Sequence, residues 1–366
     1  MSSELPKIEL RKIGTVRALC VGDPHVKPEN LAEIDILIKK IIDAIIKTNR
    51  YILVWMLGFC DSNNVIYMQL LCKIVSCLKK TSKLCKNYVL IGNHDRIDNS
   101  DADSELHPLT ALKGHDNIVI VDRPIKEYVV PRKRMGSDYE DGANFLFVPY
   151  SPAGSFVEQL KKINLKQFDE DGLEGYKSKH IHAIFCHQEF FGAKMPPITS
   201  KNGDKWDKDW PLVISGHIHD NQLLPEGILY VGTPYQQSHS DKTNKTIGYF
   251  EFNLNATEDA KKIENIPEFA LDQPDLHVRC KYFKISLGMK KKKVLRIAVS
   301  ELKNIDIKEN EDTRVVITGS KEDIKLLSDS KDVKDLISRD IQVSLVRKRE
   351  KDEKKDMSDL VDTPYL

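Results

Sequence analysis

The first 255 residues alternate short apolar runs with segments of helix length, and this alternation limits the fold more than any other feature of the sequence. Val16–Val21, Tyr51–Leu57 and Tyr88–Ile91 have the composition of buried strands, and a glycine follows each of them. Ala32–Thr48 and Val65–Leu78 lie between these runs and place apolar residues at helical spacing. Strands joined by helices form βαβ units, so the sequence predicts a largely parallel, buried sheet.

Later apolar runs have less helix between them, and they predict a second, more antiparallel sheet packed on the first. These runs are Ile118–Val121, Phe145–Val148, Ile181–Phe185, Leu212–Ser215, Ile228–Val231 and Ile247–Phe252. Two packed sheets need helices on their outer faces to bury both apolar surfaces. We therefore predict an α/β fold, a four-layer helix-sheet-sheet-helix sandwich followed by a small α+β C-terminal module.

The composition changes after residue 255, and this change divides the rest of the chain into three parts. Residues 256–280 are polar, contain two prolines and are expected to form a linker. Residues 281–347 resume a pattern of strands and helices that predicts a small α+β cap module. Residues 348–366 are dense in charges of both signs, and we expect them to be a disordered tail.

Charge and cysteine usage exclude several classes of protein. The 56 Lys and Arg residues nearly balance the 55 Asp and Glu residues, so any contact with nucleic acid must come from a local patch. The chain has no run of about eighteen apolar residues, so we expect no membrane-spanning segment and no membrane partner. Met1–Arg11 lacks the apolar core of a secretion signal. The seven cysteines form no Cys-x-x-Cys pair, which favours free thiols and an intracellular location, cytoplasmic or nuclear.

Four short polar motifs follow predicted strands, and together they indicate a metal site. Their residues are Asp23, His25, Asn93, His94, Asp95, His187, His217 and His219. The carboxyl ends of parallel strands meet at one edge of a sheet, where α/β proteins bind ligands. Carboxylate and amide oxygens with imidazole nitrogens suit a divalent first-row metal. Each motif alone also fits solvated or capping residues, and the Gly-Asn-His-Asp tetrad also fits an Asx-turn, but their joint occurrence at strand ends favours the metal site.

The order Asp-x-His, Gly-Asn-His-Asp, His and Gly-His-x-His resembles that of the calcineurin-like metallophosphoesterase superfamily. Within it, the likeness is greatest to SbcD-like DNA repair exonucleases and their phage and large-virus relatives. The stretches that carry the likeness are Leu90–Asp95, Phe185–Phe191, Ile214–Asp220 and Leu229–Gln236, within residues 14–253. Serine/threonine phosphatases of the same superfamily read Gly-Asn-His-Glu, so Asp95 argues against that branch.

The resemblance implies two divalent metal ions and one general acid. One ion would be held by Asp23, His25 and His219. The other ion would be held by Asn93, His187 and His217. His94 would protonate the leaving oxygen, supported by Asp95. Mixed Asn, His and Asp ligation favours manganese, with magnesium, zinc and iron as alternatives.

The second motif of the family departs from its usual form in this chain. The family reads Gly-Asp-x-x-Asp or Gly-Asp-x-x-His there, and its first Asp bridges the two metals. In the stretch Leu57–Ser62, Phe59 stands at the position of that bridging Asp. Asp61 either takes over the bridging role or is a solvated turn residue, and the sequence leaves both readings open.

The sequence thus predicts a metal-dependent phosphoesterase, a DNA exo- or endonuclease that hydrolyses phosphodiester bonds through a dinuclear metal centre. DNA is the expected partner, and the resemblance also implies a homodimer and an ATPase partner. Two alternatives remain, a degenerate scaffold that binds nucleic acid or a partner without cleavage and a nucleotide or protein phosphatase. The sequence identifies no substrate-binding residue. Trp206 and Trp210 either stack on a base or pack their own loop.

Overall fold

The computed structural model describes residues 15–48, 52–56, 58–60, 65–99, 105–130, 142–163, 181–254, 280–308, 311–327 and 330–347. Asp61, residues 256–279 of the expected linker and the expected tail 348–366 lie outside these ranges. The chain divides into two compact units. The first unit is Met1–Tyr235 with Asn244–Met289, and the second is Gln236–Thr243 with Lys290–Leu366.

Within the described residues, the first unit has strands on two six-stranded sheets, a small hairpin and helices. The strands are β1 (Thr15–Val21), β2 (Ile52–Met56), β3 (Lys86–Leu90), β4 (Ile118–Val121), β5 (Ile125–Val129), β6 (Ala143–Val148), β7 (Ala183–Cys186), β8 (Lys194–Met195), β9 (Ile198–Thr199), β10 (Val213–Ser215), β11 (Gln222–Leu224), β12 (Ile228–Tyr230), β13 (Ile247–Asn253) and β14 (Cys280–Ile285). The helices are α1 (Leu31–Thr48), α2 (Met68–Ser82) and α3 (Phe156–Lys162).

The first sheet has the order β14-β13-β1-β2-β3-β4. Strands β1 to β4 are parallel, as predicted for β1 to β3, and α1 and α2 connect those three strands. The predicted strand Ile118–Val121 is β4, which lies at the edge of this sheet rather than in the second one. The predicted strand Ile247–Phe252 is β13, which also belongs here, because it pairs antiparallel with β1.

The sequence assigned residues from 281 onward to the cap module, but the structure places Cys280–Ile285 in the first sheet. This strand, β14, pairs antiparallel with β13, from Ile247 opposite Ile285 to Phe252 opposite Cys280. Its aromatic side chains Tyr282 and Phe283 enter the cores on the two faces of that sheet. The physical reason is that β13 would otherwise leave a row of unpaired backbone groups at the sheet edge.

The second sheet has the order β11-β12-β10-β7-β6-β5. We predicted a more antiparallel sheet, and this prediction is wrong, because the four central strands are parallel to one another. Only the edge strands β5 and β11 pair antiparallel with their neighbours. Parallel strands need long crossovers, and here long loops and the short helix α3 provide part of them.

Three apolar cores stack across the first unit and confirm the predicted helix-sheet-sheet-helix sandwich. One core joins α1 and α2 to the first sheet and includes Leu37, Ile41 and Ile45 from the predicted face of α1. A second core fills the space between the sheets, where the rings of Tyr88 and Phe147 stack at 4.0 Å. The third core packs α3 against the outer face of the second sheet.

The second unit is a small parallel α/β module. Its strands, in the order β15-β16-β17, are β15 (Lys291–Ala298), β16 (Glu311–Gly319) and β17 (Gln342–Arg347). Helices α4 (Lys321–Leu327) and α5 (Lys331–Ser338) lie between β16 and β17 in sequence and share a core with the sheet. Across the described ranges of the whole chain, no helix is both long and apolar enough to cross a membrane.

Candidate functional site

The four predicted motifs lie at the carboxyl ends of four parallel strands of the first unit. Asp23 and His25 follow β1, the Asn93–Asp95 turn follows β3, His187 follows β7, and His217 and His219 follow β10. His25 and His217 have φ angles of 40° and 74°, in the left-handed region that residues with a Cβ seldom adopt. Such conformations cost on the order of 1–3 kcal/mol and cluster at functional sites.

His25 and His219 form the first close pair. Their Nε2 atoms lie 3.2 Å apart. The Nδ1 atom of His25 lies 3.2 Å from the carbonyl oxygen of Cys60, which can only accept, so Nδ1 carries the proton. In the neutral ring Nε2 then presents its lone pair toward His219. A backbone carbonyl that fixes the histidine tautomer in this way is the usual support of a metal-ligating imidazole.

Asn93 and His187 form the second close pair, and Asp23 lies beside them. The Oδ1 atom of Asn93 lies 3.0 Å from Nε2 of His187. The Nδ1 atom of His187 is buried, has no hydrogen-bond partner among the residues that the structure describes, and lies 3.6 Å from Oδ1 of Asp23. The other carboxylate oxygen of Asp23 accepts the backbone N–H of His217 at 3.0 Å. An imidazole lone pair this close to a carboxylate oxygen is stabilised by a cation or a proton between them.

The donor set and its separations fit a divalent ion. Two ligand atoms bound to one ion at about 2.0–2.2 Å lie about 3.0–3.5 Å apart at tetrahedral or octahedral angles. The separations of 3.0 Å between Asn93 Oδ1 and His187 Nε2 and of 3.2 Å between the Nε2 atoms of His25 and His219 fall in that range. Among the residues that the structure describes, no group of three or more His, Cys, Asp or Glu side chains is arranged to hold a metal ion. A third donor must therefore come from Asn93, from a side-chain rotation, or from a residue outside those ranges such as Asp61.

Burial shifts the ionisation of these groups toward their neutral forms. Burial raises the pKa of Asp23 to about 7, although N–H groups that donate to its carboxylate oppose the shift. Burial lowers the pKa of His187 well below its usual range, and burial together with the charges of His219 and His94 lowers the pKa of His217 to about 4. The two imidazoles are thus unprotonated at neutral pH, which is the state that binds metals.

Asp95 supports the neighbouring His94 through the backbone. Its carboxylate accepts the N–H groups of Cys60 and Gly92, both at 3.0 Å, and so joins the loop after β2 to the loop after β3. The ring of His94 lies edge-on to that of His25, with 5.0 Å between their centroids. The buried Nδ1 atom of His94 has no hydrogen-bond partner among the described residues.

The side chain of Phe59 lies outside the candidate site. Its side chain is 3% exposed and packs in the core between the first sheet and its helices, with its ring centroid 5.3 Å from that of Trp55. Gly58 instead faces the site, because a Cβ at this position would lie 2.8 Å from Cε1 of His25 and 3.0 Å from Oδ1 of Asp23. The main chain therefore turns Phe59 into the core, and the structure does not describe the position of Asp61.

Two further residues border the site and were absent from the predicted set. Oε2 of Glu189 lies 4.0 Å from Nε2 of His217, and the ring centroid of Tyr150 lies 6.0 Å from that of His217. The signal that could have found Glu189 is its position two residues after His187 at the end of a strand. Tyr150 likewise follows the buried strand β6. Trp206 is buried and donates from Nε1 to the carbonyl oxygen of Pro211, which favours loop packing over base stacking.

Comparison with known proteins gives relatives of viral origin. No protein-family model matches the chain. The chain is 34% identical over 232 residues to "Putative phosphoesterase 078R" of Invertebrate iridescent virus 3. The aligned region covers 63% of this chain and 61% of the viral protein. It is 29% identical over 321 residues to "Putative phosphoesterase 244L" of Invertebrate iridescent virus 6. This aligned region covers 86% of this chain and 98% of that protein.

A comparison with solved structures gives two matches at 12% identity, both with TM-scores below 0.5. One is GAP50, the anchor in the inner membrane complex of Plasmodium, with a TM-score of 0.42 over 66% of this chain and 82% of that one. The other is a phosphatase from Mycoplasma pneumoniae, with a TM-score of 0.35 over 75% of this chain and 94% of that one. In sequence, the chain is similar to the two viral proteins named as phosphoesterases.

Proposed function

We propose that this chain is a metal-dependent phosphoesterase and, more specifically, a nuclease that hydrolyses phosphodiester bonds of DNA with two divalent ions. The observation that carries the proposal is the convergence of donor side chains from four strand ends, with His25 and His219 at 3.2 Å and Asn93 and His187 at 3.0 Å. The names of the two viral relatives support phosphoesterase activity. The likeness of the motifs to SbcD-like exonucleases supports the narrower assignment to DNA.

The proposed ligand sets divide the site between two ions. Asp23, His25 and His219 would hold one ion. Asn93, His187 and His217 would hold the other, with Asp61 as the candidate bridge. Bound ions, manganese in our proposal, would activate water and neutralise the charge of the phosphate. The hydrogen bond from His25 to Cys60 orients one ligand, and the N–H of His217 orients the carboxylate of Asp23.

His94 is the proposed general acid for the leaving oxygen. Its ring stands beside that of His25, and its Nδ1 atom has no partner in the described part of the protein. A protonated imidazole here can donate to the alkoxide that forms as the phosphorus–oxygen bond breaks. Proton transfer of this kind contributes about 10²–10⁴-fold to a rate.

The test is hydrolysis of bis(p-nitrophenyl) phosphate and of DNA by the purified protein with and without Mn²⁺. We expect Mn²⁺-dependent cleavage of both, and we expect His217→Ala to abolish it. The matched control is His115→Ala, since His115 lies outside the candidate site and its Nδ1 atom lies 3.0 Å from the carbonyl oxygen of its neighbour Asp116. Absence of turnover with every divalent metal tried, in protein with native secondary structure, refutes the proposal.

A second candidate function is a scaffold that binds nucleic acid or a protein partner without cleaving it. The packing of Phe59 in the core favours it, because a phenyl ring buried there supplies no ligand at the position of the family's bridging aspartate. Metal stoichiometry separates the candidates, since an enzyme should hold two ions per chain and the scaffold none. A homodimer and an ATPase partner remain proposals that rest on the family resemblance.

A further inference from the structure

A cleft of about 510 Å³ opens beside the proposed general acid. His94 and Asp95 contribute to its wall, and so do three apolar residues from separate segments, Val65, Ile97 and Leu106. The backbone N–H of Ile97 donates to the carbonyl oxygen of Leu106 at 3.4 Å, which holds two of these segments side by side. The cleft volume lies within the range of about 300–1,000 Å³ that is usual for small-molecule sites.

The apolar walls of this cleft are open to solvent. Val65 is 60% exposed, Ile97 is 56% exposed and Leu106 is 64% exposed. Single exposed apolar side chains are ordinary on a protein surface, but several that line one concave surface mark a binding site. The cleft is therefore suited to an apolar group that covers these three side chains.

The position of His94 identifies which part of a substrate supplies the apolar group in the cleft. This identification rests on the proposed function, in which His94 is the general acid. A general acid must lie within hydrogen-bond distance of the leaving oxygen. The group attached to that oxygen must then lie on the side of His94. Because the cleft includes His94 in its wall, it is the space that receives the leaving group.

The wall also contains polar side chains, and these limit which chemical class of leaving group the cleft can bind. The carboxylate of Glu105, with Oε2 3.8 Å from Nζ of Lys113, can accept further hydrogen bonds. The hydroxyl of Thr110 donates to the carbonyl oxygens of Glu105 and His107, so its oxygen can accept one as well. A lipid chain would offer no donor to these acceptor oxygens, and a sugar alone would leave the apolar walls uncovered. A nucleobase has apolar faces and polar edges, so it satisfies both. We propose that the cleft binds one unpaired nucleoside, the leaving-side nucleoside of the substrate strand.

The experiment measures binding without requiring cleavage. Adenosine and ribose are titrated separately into the full-length protein by isothermal calorimetry. We expect adenosine to bind and ribose to bind at least ten-fold more weakly, because only adenosine covers the apolar walls. Ile97→Ser should weaken adenosine binding about ten-fold, the usual scale for losing an apolar contact in a pocket.

The matched control is Ile46→Ser on α1, where an isoleucine of similar exposure, 62%, lies outside the cleft. It should leave adenosine binding unchanged, and thermal unfolding should show both variants folded. Equal binding of adenosine and ribose, or unchanged adenosine binding in Ile97→Ser, overturns the inference. Adenosine binding that depends on Ile97, in a protein that cleaves no phosphoester, supports the nucleoside cleft and refutes only the proposed enzymatic function.

Discussion

Asp23→Asn tests the proposed metal site because it removes a charge and keeps the shape of the side chain. In the metal-free protein, burial raises the pKa of Asp23 from 3.8 to about 7. Between those two pH values the folded chain holds a proton that the unfolded chain has lost, so the wild-type protein loses stability as pH rises. At about 1.4 kcal/mol per pH unit, the full window corresponds to about 4 kcal/mol. Asparagine does not titrate, so the variant lacks this loss.

The assay is urea unfolding of both proteins in EDTA at several pH values. We expect the stability of Asp23→Asn relative to the wild type to rise by about 2 kcal/mol between pH 5 and pH 7, because the slope flattens as the pH reaches the folded pKa. The difference between the two proteins isolates Asp23, because both carry the same titrating histidines. A difference that stays constant over this range refutes the desolvated carboxylate described here.

Added Mn²⁺ should make the wild type more stable to urea than Asp23→Asn, the reverse of the order in EDTA. A ligand at 100 times its Kd stabilises the folded chain by about 2.7 kcal/mol, and the wild type should gain this amount. Asp23→Asn should gain much less, because it lacks a charged donor for the ion. Equal stabilisation of both proteins by Mn²⁺ would mean that Asp23 is not a ligand.

Three further predictions concern neighbouring residues. His94→Ala should retain its metal content and slow DNA cleavage by about a hundred-fold or more, with a smaller loss on p-nitrophenyl esters, whose leaving group needs no proton; equal losses contradict the general-acid role. Phe59→Ala should cost about 3–5 kcal/mol in urea unfolding and leave metal content unchanged, whereas Phe191→Ala, at a half-exposed site, should cost far less. Asp61→Ala should eliminate metal binding if Asp61 bridges the ions, and unchanged binding contradicts that role.

The sequence predicts most of the elements of the first sheet because their signals are local. The buried residues of β1 form a continuous apolar run, and α1 shows its apolar face at helical spacing. The choice of strand neighbours is not local. β4, β13 and β14 have the apolar composition of strands, but their place in the first sheet depends on which edge is free to pair.

In the candidate site too, the sequence predicts some features, whereas others depend on how distant segments pack. The family resemblance implies that His25 and His219 come together, although 194 positions separate them in the chain. The sequence does not predict that the loop after β2 turns Phe59 into the core, because that outcome depends on the space left beside Trp55. It also does not predict the contact between Glu189 and His217, which depends on the relative placement of two neighbouring strands.

The most direct test of the account is the number of metal ions bound per chain. Purified protein is loaded with Mn²⁺, freed of excess ions by gel filtration and analysed by inductively coupled plasma mass spectrometry. We expect two ions per chain in the wild type and in the control His115→Ala, and fewer in His217→Ala and in His219→Ala. A folded wild-type protein that retains no ion, or variants that keep both ions, would contradict the account.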